Sequence, residues 1–137
     1  MIKVMFVCHG NICRSAMAKY IFRYMTNNKY IIDSAGTSNE EEGNGLYYLS
    51  KETLDKYNIP YDNHKAHRIT DDEFNEYDYI IVFDSYNMDN ITRRFGHNDK
   101  VRMLLPTVID DPWYTRDFEK AYKDIYEGCM RLKEELD

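Results

Sequence analysis

The chain opens Met1-Ile2-Lys3-Val4-Met5-Phe6-Val7-Cys8-His9-Gly10-Asn11-Ile12-Cys13-Arg14-Ser15-Ala16-Met17-Ala18-Lys19-Tyr20-Ile21-Phe22, and this run sets the architecture. Met1 to Val7 is apolar except for Lys3 and rich in β-formers, the pattern of a strand buried on both faces. Gly10-Asn11 supplies turn residues. From Ser15 to Thr26, Ala18, Ile21, Phe22 and Met25 recur at helical spacing, with Ser15 the expected N-cap. Strand, tight turn and helix together begin a βαβ unit.

The rest continues the alternation. Tyr30 to Ser34, Tyr79 to Phe83 and Val101 to Leu105 read as strands. Leu46 to Tyr57 reads as a helix ended by Asn58-Ile59-Pro60. Asp71 to Glu76 is a short helix capped by Thr70, and Asn87 to Phe95 is a helix stopped at Gly96. Phe118, Tyr122, Ile125, Cys129, Leu132 and Leu136 place one apolar stripe on a final helix. Between these lie a Glu-rich loop, Gly36 to Gly45, and a loop carrying Asp110-Asp111-Pro112-Trp113. No linker or repeat interrupts residues 1–137. The expectation is an α/β single domain: a four-stranded parallel sheet flanked by helices on both faces. Ligands of such sheets bind beyond the carboxyl ends of the strands, where Cys8 falls.

Composition narrows the class. The 137 residues include 43% hydrophobic and 15% aromatic side chains, a globular balance. A net charge of −6 argues against nucleic-acid or anionic-membrane binding. Any anion site must therefore be built locally, against the overall field. Three cysteines, Cys8, Cys13 and Cys129, make no disulfide framework and suit a reducing compartment. No signal peptide or membrane span is legible. The expected setting is cytoplasmic. The expected state is a monomer, with weak self-association through the 13 tyrosines left open.

The loop after the first strand carries the chemistry. Successive backbone N–H groups in such a turn curl into an anion-binding nest, and the following helix adds its free N–H groups and positive dipole end. A guanidinium at Arg14 can grip two phosphoryl oxygens in a fork, which a lysine cannot do. A thiol at the base of the nest, Cys8, feels the same field and becomes a nucleophile. A zinc site at Cys8, His9 and Cys13 lacks a second ligand pair at suitable spacing. A general acid is also required, and Asp110 and Asp111 are the candidates.

Val7-Cys8-His9-Gly10-Asn11-Ile12-Cys13-Arg14-Ser15 closely resembles the phosphate loop of the low-molecular-weight protein tyrosine phosphatases. Four further segments are similar to that family's motifs, in the same order: Asp33-Ser34-Ala35-Gly36-Thr37-Ser38, His64-Lys65-Ala66-His67-Arg68, Asp84-Ser85-Tyr86-Asn87 and Asp111-Pro112-Trp113-Tyr114. The resemblance implies hydrolysis of a phosphotyrosine-containing protein or a small aryl phosphate, with inorganic phosphate as product and no cofactor or metal. Cys8 would form a cysteinyl-phosphate, Arg14 would bind the phosphoryl oxygens, and Asp111 would be the acid. Ser15 would donate to the Cys8 sulfur. Asn11 would shape the loop, held by Ser34 and His64. The resemblance also implies a reversible Cys8–Cys13 disulfide.

Ile12, Trp113 and Tyr114 are expected to line the substrate pocket. The family usually has an aromatic wall where Glu40 falls here, so that wall is expected to be either missing or supplied from elsewhere, by Tyr47 or Tyr48. Glu40, Glu41 and Glu42 would repel acidic peptides. Ala16 stands where the family has proline, and Lys19 where it has glutamate. Alternative readings are arsenate reduction, phosphoarginine hydrolysis and a phosphocarrier. Cys129, on a core stripe, is a poor redox relay. Arginine phosphatases carry a small polar residue where this chain has Ile12. A carrier needs neither Arg14 nor an acid at Asp111.

If Asp111 is the acid, Asp111→Asn should lower kcat by about 10²–10⁴ and Asp110→Asn should change it little. Steady-state hydrolysis of an aryl phosphate by both variants measures this; the opposite order overturns the assignment.

Overall fold

The structure is a computed structural model that describes residues 1–137. Four strands, β1 (Lys3–Cys8), β2 (Ile31–Gly36), β3 (Tyr79–Val82) and β4 (Val101–Met103), form one parallel sheet in the order β2-β1-β3-β4. Six helices accompany it: α1 (Arg14–Met25), α2 (Tyr48–Lys56), α3 (Asp71–Glu76), α4 (Ser85–Phe95), α5 (Pro112–Thr115) and α6 (Phe118–Leu136). This is the expected α/β architecture.

The apolar run of β1 explains its central place. Val4, Phe6 and Cys8 face one side, and Met5 and Val7 the other, as strand alternation requires. On the first side they join a 28-residue core with α1, α2 and α6, where Phe6 meets the edge of Phe22 at 5.7 Å. On the second side a smaller cluster of 9 residues includes Phe74 of α3 and Ile91 of α4. Both faces are therefore covered, and the α1/α6 side holds most of the core. The chain turns one way from β1 to β2 and the other way to β3. That reversal opens a crevice at the carboxyl ends of β1 and β3.

Several boundaries differ from the sequence reading, each for a local reason. Ser15 is not the N-cap of α1. The helix begins at Arg14 after Cys13, which makes no side-chain capping bond. The Ser15 hydroxyl is engaged inside the loop instead. α4 starts at Ser85, earlier than expected, because an Asp84 carboxylate oxygen accepts the Asn87 N–H at 2.8 Å. β2 runs on to Gly36. β4 stops at Met103, although the Leu104 N–H still donates to the Val82 carbonyl at 2.9 Å. The one-turn helix α5 replaces the expected loop after Asp111. Asp111 caps it and Pro112 occupies its first turn, a start signal too short to carry a periodic pattern.

Gly36 shows why the end of β2 tolerates no side chain. A Cβ there would lie 2.7 Å from the His9 carbonyl oxygen and 3.1 Å from that of Ser38. The loop after β1 rests directly on this backbone. No helix is long and apolar enough to cross a membrane.

Candidate active site

Residues 8–14 fold into the tight loop between β1 and α1, with Asn11 in the left-handed region at φ 63°. Asparagine tolerates that conformation better than most residues, and its side chain here is fully used. The His67 N–H donates to Asn11 Oδ1 at 3.2 Å. That bond sets the amide's orientation, so Nδ2 donates to Ser15 Oγ at 2.8 Å and to Ser34 Oγ at 2.9 Å. The Ser15 oxygen is thus an acceptor from Asn11, and its own proton is free to point at Cys8 Sγ, 3.0 Å away. The Ser15 N–H is 3.5 Å from the same sulfur.

Behind this relay stands His64. Its Nε2 is 2.6 Å from the Asn11 carbonyl oxygen, which can only accept, so Nε2 carries the proton. Nδ1 is then the acceptor for Lys19 Nζ at 2.6 Å. Burial and the Lys19 charge push the His64 pKa down to about 4. Burial also lowers Lys19 to about 8, against the opposing pull of Asp33 at 4.0 Å. Lys19 thus tethers the back of the loop, a role that its replacement of the family's glutamate did not announce.

Arg14 is the largest wholly enclosed side chain, 2% exposed. Its Nη1 donates to Asp84 Oδ2 at 2.8 Å and to the Ile109 carbonyl at 2.7 Å. Asp84 therefore works twice, capping α4 with one oxygen and holding Arg14 with the other. The capping signal in Asp84-Ser85-Tyr86-Asn87 was legible; its second partner was not. Arg14 Nη2 lies 3.5 Å from Asp111 Oδ2, an ion pair but a poor hydrogen bond. Arg14 Nε is the one buried side-chain polar atom without a partner.

A cavity of about 130 Å³ opens over the loop, lined by Cys8 to Cys13, Glu40, Glu41, Asp111, Trp113 and Tyr114. Asp111 lines it while Asp110 points elsewhere, its carboxylate 3.9 Å from Lys120. Ile12 forms a buried wall, and Trp113 and Tyr114 are exposed at the rim. Neither Tyr47 nor Tyr48 lines the cavity. Tyr47 stands behind Trp113 with ring centroids 4.9 Å apart, and its hydroxyl accepts from Arg116 at 2.7 Å. Glu40 and Glu41 line the cavity instead. Glu40 reaches His9 Nε2 at 3.3 Å. Burial pushes the Cys13 thiol up to about 12, with Ser50 opposing, so Cys13 stays protonated beside Cys8. Cys129 is wholly buried in the core, far from this chemistry.

Comparison with known proteins gives a consistent picture. The family model described as low molecular weight phosphotyrosine protein phosphatase matches residues 3–137. A chicken (Gallus gallus) protein named low molecular weight phosphotyrosine protein phosphatase is 36% identical across 93% of this chain and 89% of its own length. The crystal structure of SP-PTP, a low molecular weight protein tyrosine phosphatase from Streptococcus pyogenes, superposes with a TM-score of 0.96. It is 37% identical and covers 100% of this chain and 94% of that one. The crystal structure of YfkJ from Bacillus subtilis gives a TM-score of 0.94 at 32% identity, over 99% of this chain and 94% of that one.

The His64 geometry has a consequence for stability. Its folded pKa lies below the ordinary value of 6.5, so the unfolded chain binds the extra proton between about pH 6.5 and 4. Stability from this residue is full above pH 6.5 and is lost as pH falls towards 4, by roughly 3 kcal/mol. Urea unfolding at pH 7 and pH 5 should show a smaller drop for His64→Gln than for the unsubstituted protein. Equal drops would contradict the assignment.

Proposed function

This chain belongs to the low molecular weight phosphotyrosine protein phosphatase family, and we propose that it hydrolyses phosphotyrosine and other aryl phosphate monoesters through a cysteinyl-phosphate on Cys8. The observation that carries the reading is Arg14. Its Nη1 is committed to Asp84 and Ile109, so the Nε edge of the guanidinium is left buried, with Nε lacking any protein acceptor. A buried donor without a partner is costly, and a phosphoryl oxygen satisfies it. Nη2, only loosely held by Asp111, turns to a second oxygen.

The Cys8 thiolate then attacks phosphorus in line with the leaving oxygen. The sulfur–phosphorus bond forms as the phosphorus–oxygen bond breaks. Asp111 gives its proton to the departing phenolate. In the second step water attacks phosphorus and Asp111 takes a proton from it. The sulfur–phosphorus bond breaks, returning its electron pair to Cys8. The Ser15 hydroxyl, already oriented towards Sγ by Asn11, stabilises that returning negative charge. The nest and the α1 N-terminus hold the phosphoryl oxygens throughout.

Ile12 and Trp113 give the cavity apolar walls that suit an aromatic ring better than a guanidino group. Glu40 falls where an aromatic wall is expected, and Glu41 lines the same cavity. They disfavour an acidic residue directly adjacent to the phosphotyrosine. A reducing compartment such as the cytoplasm would keep Cys8 free, and this chemistry supports the expectation of a cytoplasmic setting.

Hydrolysis of a generic aryl phosphate tests the reading. The unsubstituted protein should turn it over, and Cys8→Ser should lower kcat by several orders of magnitude. Phosphopeptides with Lys or Glu at the two adjacent positions should then rank Lys above Glu at low salt. Loss of activity confined to another cysteine, or equal rates for both peptides, would contradict the assignment or the wall respectively.

A further inference from the structure

The molecule is acidic overall, yet three arginines gather beside the candidate site. Two concavities join them to it. One, of about 600 Å³, shares His9, Asp111 and Tyr114 with the phosphate pocket and runs along Ser85, Tyr86 and Asn90. The other, of about 190 Å³, takes over at Asn90 and is lined by Arg68, Arg93 and Arg94. On α4, Tyr86, Asn90, Arg93 and Arg94 are spaced i, i+4, i+7 and i+8, so they form one stripe along the helix. The stripe begins beside Asp84, which holds Arg14, and ends at the arginines.

The arginines are only partly spoken for. Arg94 donates to the Ile69 carbonyl and pairs with Asp71 at 3.0 Å. Arg68 donates through Nε to the Thr37 carbonyl, and Glu42 accepts its backbone N–H, not its guanidinium. Arg93 donates to Asn90 Oδ1 at 3.1 Å, a neutral amide that leaves its charge uncompensated. No carboxylate lies within 4.0 Å of the Arg68 or Arg93 guanidinium. In a protein of net charge −6, the Arg68 and Arg93 charges are therefore left locally uncompensated.

We propose that the α4 stripe is a substrate-docking ledge, and that the Arg68/Arg93/Arg94 pocket takes an acidic side chain of the same peptide whose phosphotyrosine enters the Cys8 pocket. The rise from Tyr86 to Arg93 and Arg94 is roughly 11 Å. An extended peptide advances about 3.3 Å per residue, so the stripe alone takes up three or four residues and the acidic residue lies at least that far from the phosphotyrosine. The ledge leaves the phosphate pocket across His9 and Asp111, whereas Glu40 and Glu41 border that pocket itself. The binding face is therefore polarised, disfavouring acid next to the phosphotyrosine and favouring it further along. This specificity rests on the phosphatase reading above, but it concerns residues that take no part in the chemistry.

The test compares phosphotyrosine peptides carrying a single Glu at each position from −6 to −3 or from +3 to +6 with Ala-substituted controls at low salt. On one side of the phosphotyrosine, Glu should raise kcat/KM roughly two- to fivefold. Arg93→Glu should abolish that gain and transfer it to the matching Lys peptide, while Arg93→Lys keeps it. A small aryl phosphate should be hydrolysed equally by all three proteins. A gain that persists in Arg93→Glu, or no gain on either side, overturns the ledge. Failure to hydrolyse the small aryl phosphate overturns the phosphatase reading instead.

Discussion

The site depends on one constraint: a buried arginine whose guanidinium is held from behind. Asp84 and the Ile109 carbonyl engage Nη1 of Arg14, and Phe83 lies under the group at 5.8 Å from its ring centroid. Burying such a charge is tolerable only when it is paired, and removing one partner of such a pair typically costs about 3–5 kcal/mol. The pairing is incomplete by design of the geometry. It fixes the orientation of the fork and leaves Nε facing no protein acceptor. The crevice between the ends of β1 and β3 exists because the strand order reverses there, and it brings Arg14 and Asp84 together.

A second set of bonds holds Cys8, the proposed nucleophile. Lys19, His64, Asn11 and Ser15 connect in series to the Cys8 sulfur. Each link has its direction set by a group that can act only one way: a carbonyl that accepts, a backbone N–H that donates. The left-handed Asn11 makes this possible by presenting its carbonyl to His64 and its amide to two serines at once. A loop organised in this way needs little rearrangement when an anion arrives, which is the condition under which electrostatic stabilisation is most effective.

Much of this was legible in the chain. The apolar alternation of β1, the turn at Gly10-Asn11 and the periodicity of α1 and α6 led to the parallel sheet, because burial on both faces and helical spacing are local patterns. Cys8, Asn11, Arg14, Ser15, Ser34, His64 and Asp111 all come to one place. What local pattern could not disclose was partnership across the fold. Lys19 sits on an ordinary helical repeat, and its contact with His64 spans 45 residues. Ser15 reads as a cap because its competing partner, Cys8, is reached only once the loop closes. Tyr47 reads as a replacement wall, but Trp113, Phe118 and Arg116 draw it behind the cavity.

The charge pattern around the pocket completes the account. Carboxylates of Glu40 and Glu41 stand on the rim, and arginines stand at the far end of α4. The proposed chemistry rests on Arg14, and its most direct test is a crystal structure with inorganic phosphate or vanadate bound. The account predicts oxygen atoms within about 3.0 Å of both Arg14 Nε and Nη2, with Nη1 still on Asp84. An anion seated away from Arg14, or a bound anion with Arg14 Nε still unpartnered, would contradict it.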